Sequence, residues 1–172
     1  MTKLWRCEIC GDPYIGDGIP ANCPFCGAKS KYIKEFKKAT CDFNVELNAK
    51  DKANAEYALK VEVSNAAFYF CAANKVEDIE GKKLFKALGK VETEHADVWM
   101  KILKLDEMPK ADDSCSANLK EDLEDSHARE TRAIKFYSKA AEESENSRVK
   151  EIFKAFVEVE TDHLKLSEER LK

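Results

Sequence analysis

The sequence predicts a mainly α protein, a four-helix bundle preceded by a small metal-organised module of strands and loops. Three observations predict it. Four cysteines near the N-terminus form two C-x-x-C pairs, four later segments carry apolar residues at helical spacing, and the last two of those segments repeat the first two at a constant offset. The 172 residues suffice for one medium domain with a small appendage, and they divide into a module at 1–38, a linker at 39–50 and a bundle at 51–172.

Composition removes several function classes. Charged residues make up 36% of the chain and hydrophobic ones 44%, a globular balance. A net charge of −4 offers no broad basic footprint for nucleic acid or anionic lipid, so neither is expected as a partner. The longest apolar run, Ala66 to Ala73, is too short to span a bilayer. MTKLWRCEIC contains no signal-like apolar stretch, and a cytoplasmic location is expected.

The module is read from CEICGDPYIGDGIPANCPFCGA. Each pair, Cys7/Cys10 and Cys23/Cys26, is followed directly by glycine, at Gly11 and Gly27. Two such knuckles present four thiolates to one ion, and glycine lets the backbone turn so that amide N–H groups point at sulfur. So short a segment cannot bury enough apolar surface to fold unaided, so the metal organises it. Spacing alone leaves zinc and iron both open. The other three of the seven cysteines, Cys41, Cys71 and Cys115, are scattered and odd in number. They read as small core or surface residues in a reducing compartment rather than as a disulfide framework.

Periodicity places helices near 52–74, 82–105, 116–144 and 147–170. Short connections around 77–81 and 145–147 make two antiparallel hairpins. Between the hairpins lies LDEMPKADDS. About ten extended residues reach roughly 33 Å, the length of such a helix, so this segment can return along the bundle as the single crossover of a ferritin-like fold.

The repeat carries the chemistry. At an offset of 68, Glu62 recurs as Glu130, and Val91-Glu92-Thr93-Glu94-His95 recurs as Val159-Glu160-Thr161-Asp162-His163. Glu92 and His95 share a helix face, as do Glu160 and His163, and two of the chain's three histidines therefore occupy equivalent places. Glu62 and Glu130 fall on the apolar stripes of the other two helices. Four carboxylates converging on one core would repel unless cations lay between them. Two divalent metals with four carboxylates and two neutral imidazoles resolve this, and the oxygen and imidazole donors suit iron or manganese. Tyr69 and Tyr137 lie two turns beyond Glu62 and Glu130; each is either an ordinary packing residue or a donor to a carboxylate of the other hairpin.

The segment from Trp5 to Phe36, with CPFCGA followed by Lys31 and Tyr32, resembles the short rubredoxin domain of rubrerythrins, which implies iron at the four cysteines and an electron-transfer role. With the di-metal bundle added, the chain resembles rubrerythrin in the reverse arrangement, rubredoxin first. That resemblance implies that Glu62, Glu92, His95, Glu130, Glu160 and His163 ligate two irons, with Glu92 and Glu160 bridging. It implies a peroxidase of oxidative-stress defence, which reduces hydrogen peroxide to water with electrons passed singly from a reductase through the rubredoxin iron. It also implies a head-to-tail homodimer. Two other readings stay open: a ferroxidase or iron-binding ferritin-like protein that consumes oxygen, and a non-enzymatic protein with a structural zinc ribbon. One departure stands out. The family's additional glutamate ligand on the third helix matches Ala133 here, while His127 lies one turn before Glu130, where the first hairpin has Leu59. His127 is thus expected on the inward stripe, either as a core residue or as a ligand or proton donor.

Overall fold

A computed structural model describes residues 1–112 and 114–172. The module begins with a three-stranded antiparallel sheet of β1 (Lys3–Cys7), β2 (Pro13–Gly16) and β3 (Ile33–Glu35), with β1 at its centre. Trp5 pairs with Tyr14 on one side, and Cys7 pairs with Ile33 on the other. Alternation along β1 turns Trp5 and Cys7 inward. In each knuckle the glycine N–H closes the turn onto the first cysteine's carbonyl, Gly11 to Cys7 at 2.9 Å and Gly27 to Cys23 at 3.0 Å. Both glycines adopt positive φ, at 88° and 73°, where a side chain would be strained.

Four helices follow: α1 (Ala49–Lys75), α2 (Ile79–Leu103), α3 (Leu119–Glu143) and α4 (Ser147–Arg170). Each start is set by an Asn or Asp whose side chain accepts from first-turn N–H groups: Asn48, Asp78, Asn118 and Asn146. This corrects three expected starts. Helices α1 and α2 begin earlier than apolar periodicity implied because Asn48 and Asp78 cap them, and α3 begins later because Asn118 is its cap. Three-residue turns join α1 to α2 and α3 to α4, and residues 104–118 cross between the hairpins. The architecture is a ferritin-like bundle behind a rubredoxin-like module.

Two apolar clusters fill the molecule. One runs without a break from Trp5, Ile9 and Ile33 of the module to Trp99, Phe153 and Phe156 of the bundle. The other fills the opposite end around Phe68, Phe85 and Leu123, with Cys115 packed against it. The continuity of the first cluster means that the module docks on the bundle of its own chain. Arg148 donates to the carbonyls of Glu8 and Ile9, and Lys101 donates to that of Cys10. Lys29 pairs with Asp162 and Lys31 with Glu158.

The cysteine reading needs correction. Cys71 of α1 and Cys115 of the crossover are joined in a disulfide, while Cys41 is a free thiol directed at the Glu8 carbonyl. The crossover returns past the C-terminal half of α1 and brings the two Cα atoms to 5.9 Å, a proximity that exists only in the folded chain. No described helix is long and apolar enough to cross a membrane.

Candidate metal centres and the contact between them

The two knuckles bring Cys7, Cys10, Cys23 and Cys26 into one buried group. Cys7 and Cys26 sulfurs lie 3.7 Å apart, and Cys10 and Cys23 sulfurs 3.8 Å apart. Such crowding prevents the four thiols from titrating independently. Hydrogen bonds from Cys10, Cys26 and Cys7 hold Cys23 far below an ordinary thiol, while hydrogen bonding with Cys23 pushes Cys10 far above it. A cation at the centre relieves this by favouring four thiolates.

In the bundle, Glu62, Glu92, His95 and Glu160 form one group and Glu92, Glu130, Glu160 and His163 a second, each with ligand atoms within 4.8 Å of one another. Glu92 and Glu160 belong to both. His95 Nδ1 lies 3.1 Å from Glu160 and 3.6 Å from Glu62; His163 Nδ1 lies 2.9 Å from Glu160 and 3.1 Å from Glu92. The helical repeat explains the symmetry. Each hairpin supplies one lone glutamate and one Glu-x-x-His pair, so the shared carboxylates come from α2 and α4 and the flanking ones from α1 and α3.

The electrostatics of this core call for cations. Burial, reinforced by Glu92, pushes Glu62 well above the usual carboxylate range, and burial with Glu160 does the same to Glu130. Burial would also raise Glu92, but the neighbouring His163 and His95 imidazoles hold it low. Burial opposes charging of His95 and His163, yet the surrounding glutamates raise both. Among the described residues, Glu62 Oε2, Glu92 Oε1 and Oε2, Glu130 Oε2, Glu160 Oε1 and His95 Nδ1 are buried without a hydrogen-bond partner. Unpartnered acceptors facing one another inside a protein fit two divalent ions, and the donor set fits iron or manganese.

Each hairpin also braces the other. The Tyr69 hydroxyl donates to Glu130, with Ser126 Oγ 2.9 Å away, and the Tyr137 hydroxyl donates to Glu62. Both tyrosines are fully buried, which pushes their hydroxyls well above the ordinary range and keeps them as donors. Ser126 went unnoticed in the sequence, where only its place on the inward stripe pointed to it. His127 is not on that stripe. Leu123, Ser126, Glu130, Ala133 and Tyr137 are among the buried positions of α3, and His127 is turned about 100° from Ser126. Its side chain is 39% exposed beside Glu168, 3.5 Å away, outside both groups. Ala133 is buried and brings no further carboxylate to the centre.

The two centres meet directly. His95 Nε2 lies 2.9 Å from the Cys26 carbonyl oxygen. A carbonyl can only accept, so Nε2 carries a proton, and Nδ1, on the carboxylate side, is the nitrogen that would ligate a metal. Phe156 stacks on the same imidazole at 4.1 Å, fixing its plane. Gly27 permits the approach, because a Cβ there would stand 2.9 Å from Val159 Cγ1 of α4.

Fold and sites together define a di-metal carboxylate protein of the ferritin-like class, coupled to a four-cysteine metal module. The rubrerythrin family profile matches residues 53–170, and the profile described as the rubrerythrin rubredoxin-like domain matches residues 5–34. The chain belongs to the rubrerythrin family, with the module order reversed so that the rubredoxin-like domain comes first. No curated protein and no solved structure matches it.

Proposed function

We propose that the protein is a diiron peroxidase that reduces hydrogen peroxide to water in oxidative-stress defence, with electrons entering one at a time through iron at the four cysteines. The observation that supports this most is the His95–Cys26 contact, since a single imidazole bonds to the cysteine module through one nitrogen and faces the carboxylate core with the other. The net change is H2O2 + 2 H⁺ + 2 e⁻ → 2 H2O. Glu62, Glu92, His95, Glu130, Glu160 and His163 would hold the metal pair, which when bound supplies Lewis acidity and two electrons. Cys7, Cys10, Cys23 and Cys26 would hold the single iron. The protein's own groups do the rest. Tyr69 and Tyr137 lock Glu130 and Glu62 in orientation, and full burial of the core excludes bulk water from the reacting groups.

The electron donor is read as a separate reductase. The head-to-tail homodimer remains part of the proposal, although module and bundle of a single chain already make the contact that such a dimer would provide. A swapped dimer would form the same contacts between chains. A second reading, oxygen-consuming ferroxidase activity, draws on Ala133, which leaves the centre with four carboxylates and two histidines.

One experiment separates the readings. Protein purified without oxygen, analysed for metal and fully reduced, is mixed rapidly with peroxide or with oxygen. Faster oxidation by peroxide, followed by loss of the reduced four-cysteine iron signal, supports the peroxidase. Faster oxidation by oxygen supports the ferroxidase, and stoichiometric zinc at the cysteines defeats electron transfer.

A further inference from the structure

A cavity of about 280 Å³ opens between α1 and α3. None of the metal-binding candidates lines it, so it is separate from the centre described above. One part of its wall is cationic, formed by Lys60, Arg129 and Arg132, and another is apolar, formed by Tyr57, Val61 and Phe136.

The cationic part is built rather than incidental. Arg129 is only 17% exposed and is held from four directions. It donates to Asp125 at 3.3 Å, to Asn65 Oδ1 at 3.2 Å and to Ser64 at 3.4 Å, and its guanidinium lies 4.3 Å above the Phe68 ring. Asn65 is 3% exposed, and with Oδ1 engaged by Arg129 its Nδ2 donor is left buried without a partner among the described residues. The pairing of Arg129 with Asp125 is the one ion pair these three cations make among the described residues. Lys60 and Arg132 therefore leave a positive excess at a concave surface, where low-dielectric walls concentrate the field. Across the cavity, Tyr57 and Phe136 meet edge to face at 4.6 Å, and Tyr57 is 54% exposed although aromatic.

We propose that this cavity binds a small organic anion, with its carboxylate between Lys60 and Arg132 and its apolar body against Tyr57 and Phe136. Arginine and lysine recognise the anionic group, while the aromatic wall favours an organic acid over a bare inorganic ion. The inference does not depend on which metals the protein holds or on what it reduces.

The test uses 4-fluorobenzoate as probe, titrated into the metal-loaded full-length protein and followed by fluorine NMR at constant chloride. Saturable binding is expected. Lys60→Ala and Arg132→Ala, both at exposed positions, should each weaken it about tenfold, the loss of one charged hydrogen bond. Tyr57→Ala should weaken fluorobenzoate but leave any competition by inorganic phosphate unchanged. Absence of saturation overturns the assignment. So does binding that survives both cationic substitutions and alters the visible spectrum of the metal pair, because the carboxylate would then be sitting on the metals.

Discussion

His95 Nε2 and the carbonyl oxygen of Cys26 lie 2.9 Å apart, so one hydrogen bond joins the four-cysteine knuckle to the carboxylate core. The bond depends on close packing around it. Phe156 fixes the imidazole plane, Gly27 lets the knuckle settle on Val159, and Lys101 and Arg148 draw the Cys7–Gly11 turn onto the bundle by its carbonyls.

Gly27→Ala should separate the two centres without dismantling either. The added Cβ meets Val159, and the positive φ by itself destabilises by about 1–2 kcal/mol. Single-turnover transfer from the cysteine iron to the oxidised pair should slow, while the cysteine-site spectrum persists. The double variant Gly27→Ala/Val159→Ala frees the space and should recover much of the rate. Equal rates in all three proteins would remove the contact from the electron route.

Glu92 and Glu160 should matter most for metal content, since each belongs to both ligand groups. Glu92→Ala or Glu160→Ala should lose both ions, whereas Glu62→Ala or Glu130→Ala should retain part of the metal. Elemental analysis of the purified variants, with iron at the four cysteines as internal reference, reads the difference.

The tyrosines should act through the carboxylates they hold. Tyr69→Phe or Tyr137→Phe leaves a fully buried glutamate with one donor fewer, destabilising the protein by about 1–3 kcal/mol. Metal affinity should fall by roughly 10–100-fold. Chelator competition measures the second effect and denaturant titration the first.

Removal of the Cys71–Cys115 bridge should be felt in stability rather than in chemistry. It closes a loop with a sequence separation of 44, for which chain entropy gives about 4 kcal/mol. Cys71→Ser/Cys115→Ser, or the wild type under a strong reductant, should unfold at lower denaturant. If reductant leaves the wild-type midpoint unchanged, no bridge has formed in solution.

His127→Leu copies Leu59 of the other hairpin at a half-exposed site outside both ligand groups. Metal content should be unchanged and turnover should stay within about twofold, as for ordinary surface substitutions. A larger loss in pre-steady-state peroxide reduction would give this histidine a part in proton delivery.

Local patterning by itself determined the order of module and bundle, four helices in two hairpins, and which residue types face inward with Glu62, Glu92, Glu130 and Glu160. These follow from periods and spacings a few residues long, which backbone geometry converts directly into shared faces. Only the tertiary structure decided the rest. Cys71 and Cys115 meet because the crossover returns past α1, and the module rests on its own bundle because a single apolar cluster spans both. His127 turns aside because the burial of α3 follows Ser126 and Glu130 rather than the position one turn before. The Cys26 carbonyl reaches His95 across 69 residues of chain because Gly27 allows close approach to α4. A backbone carbonyl leaves no mark in a residue pattern, and contacts between distant segments are set by how whole faces pack, which no local period encodes.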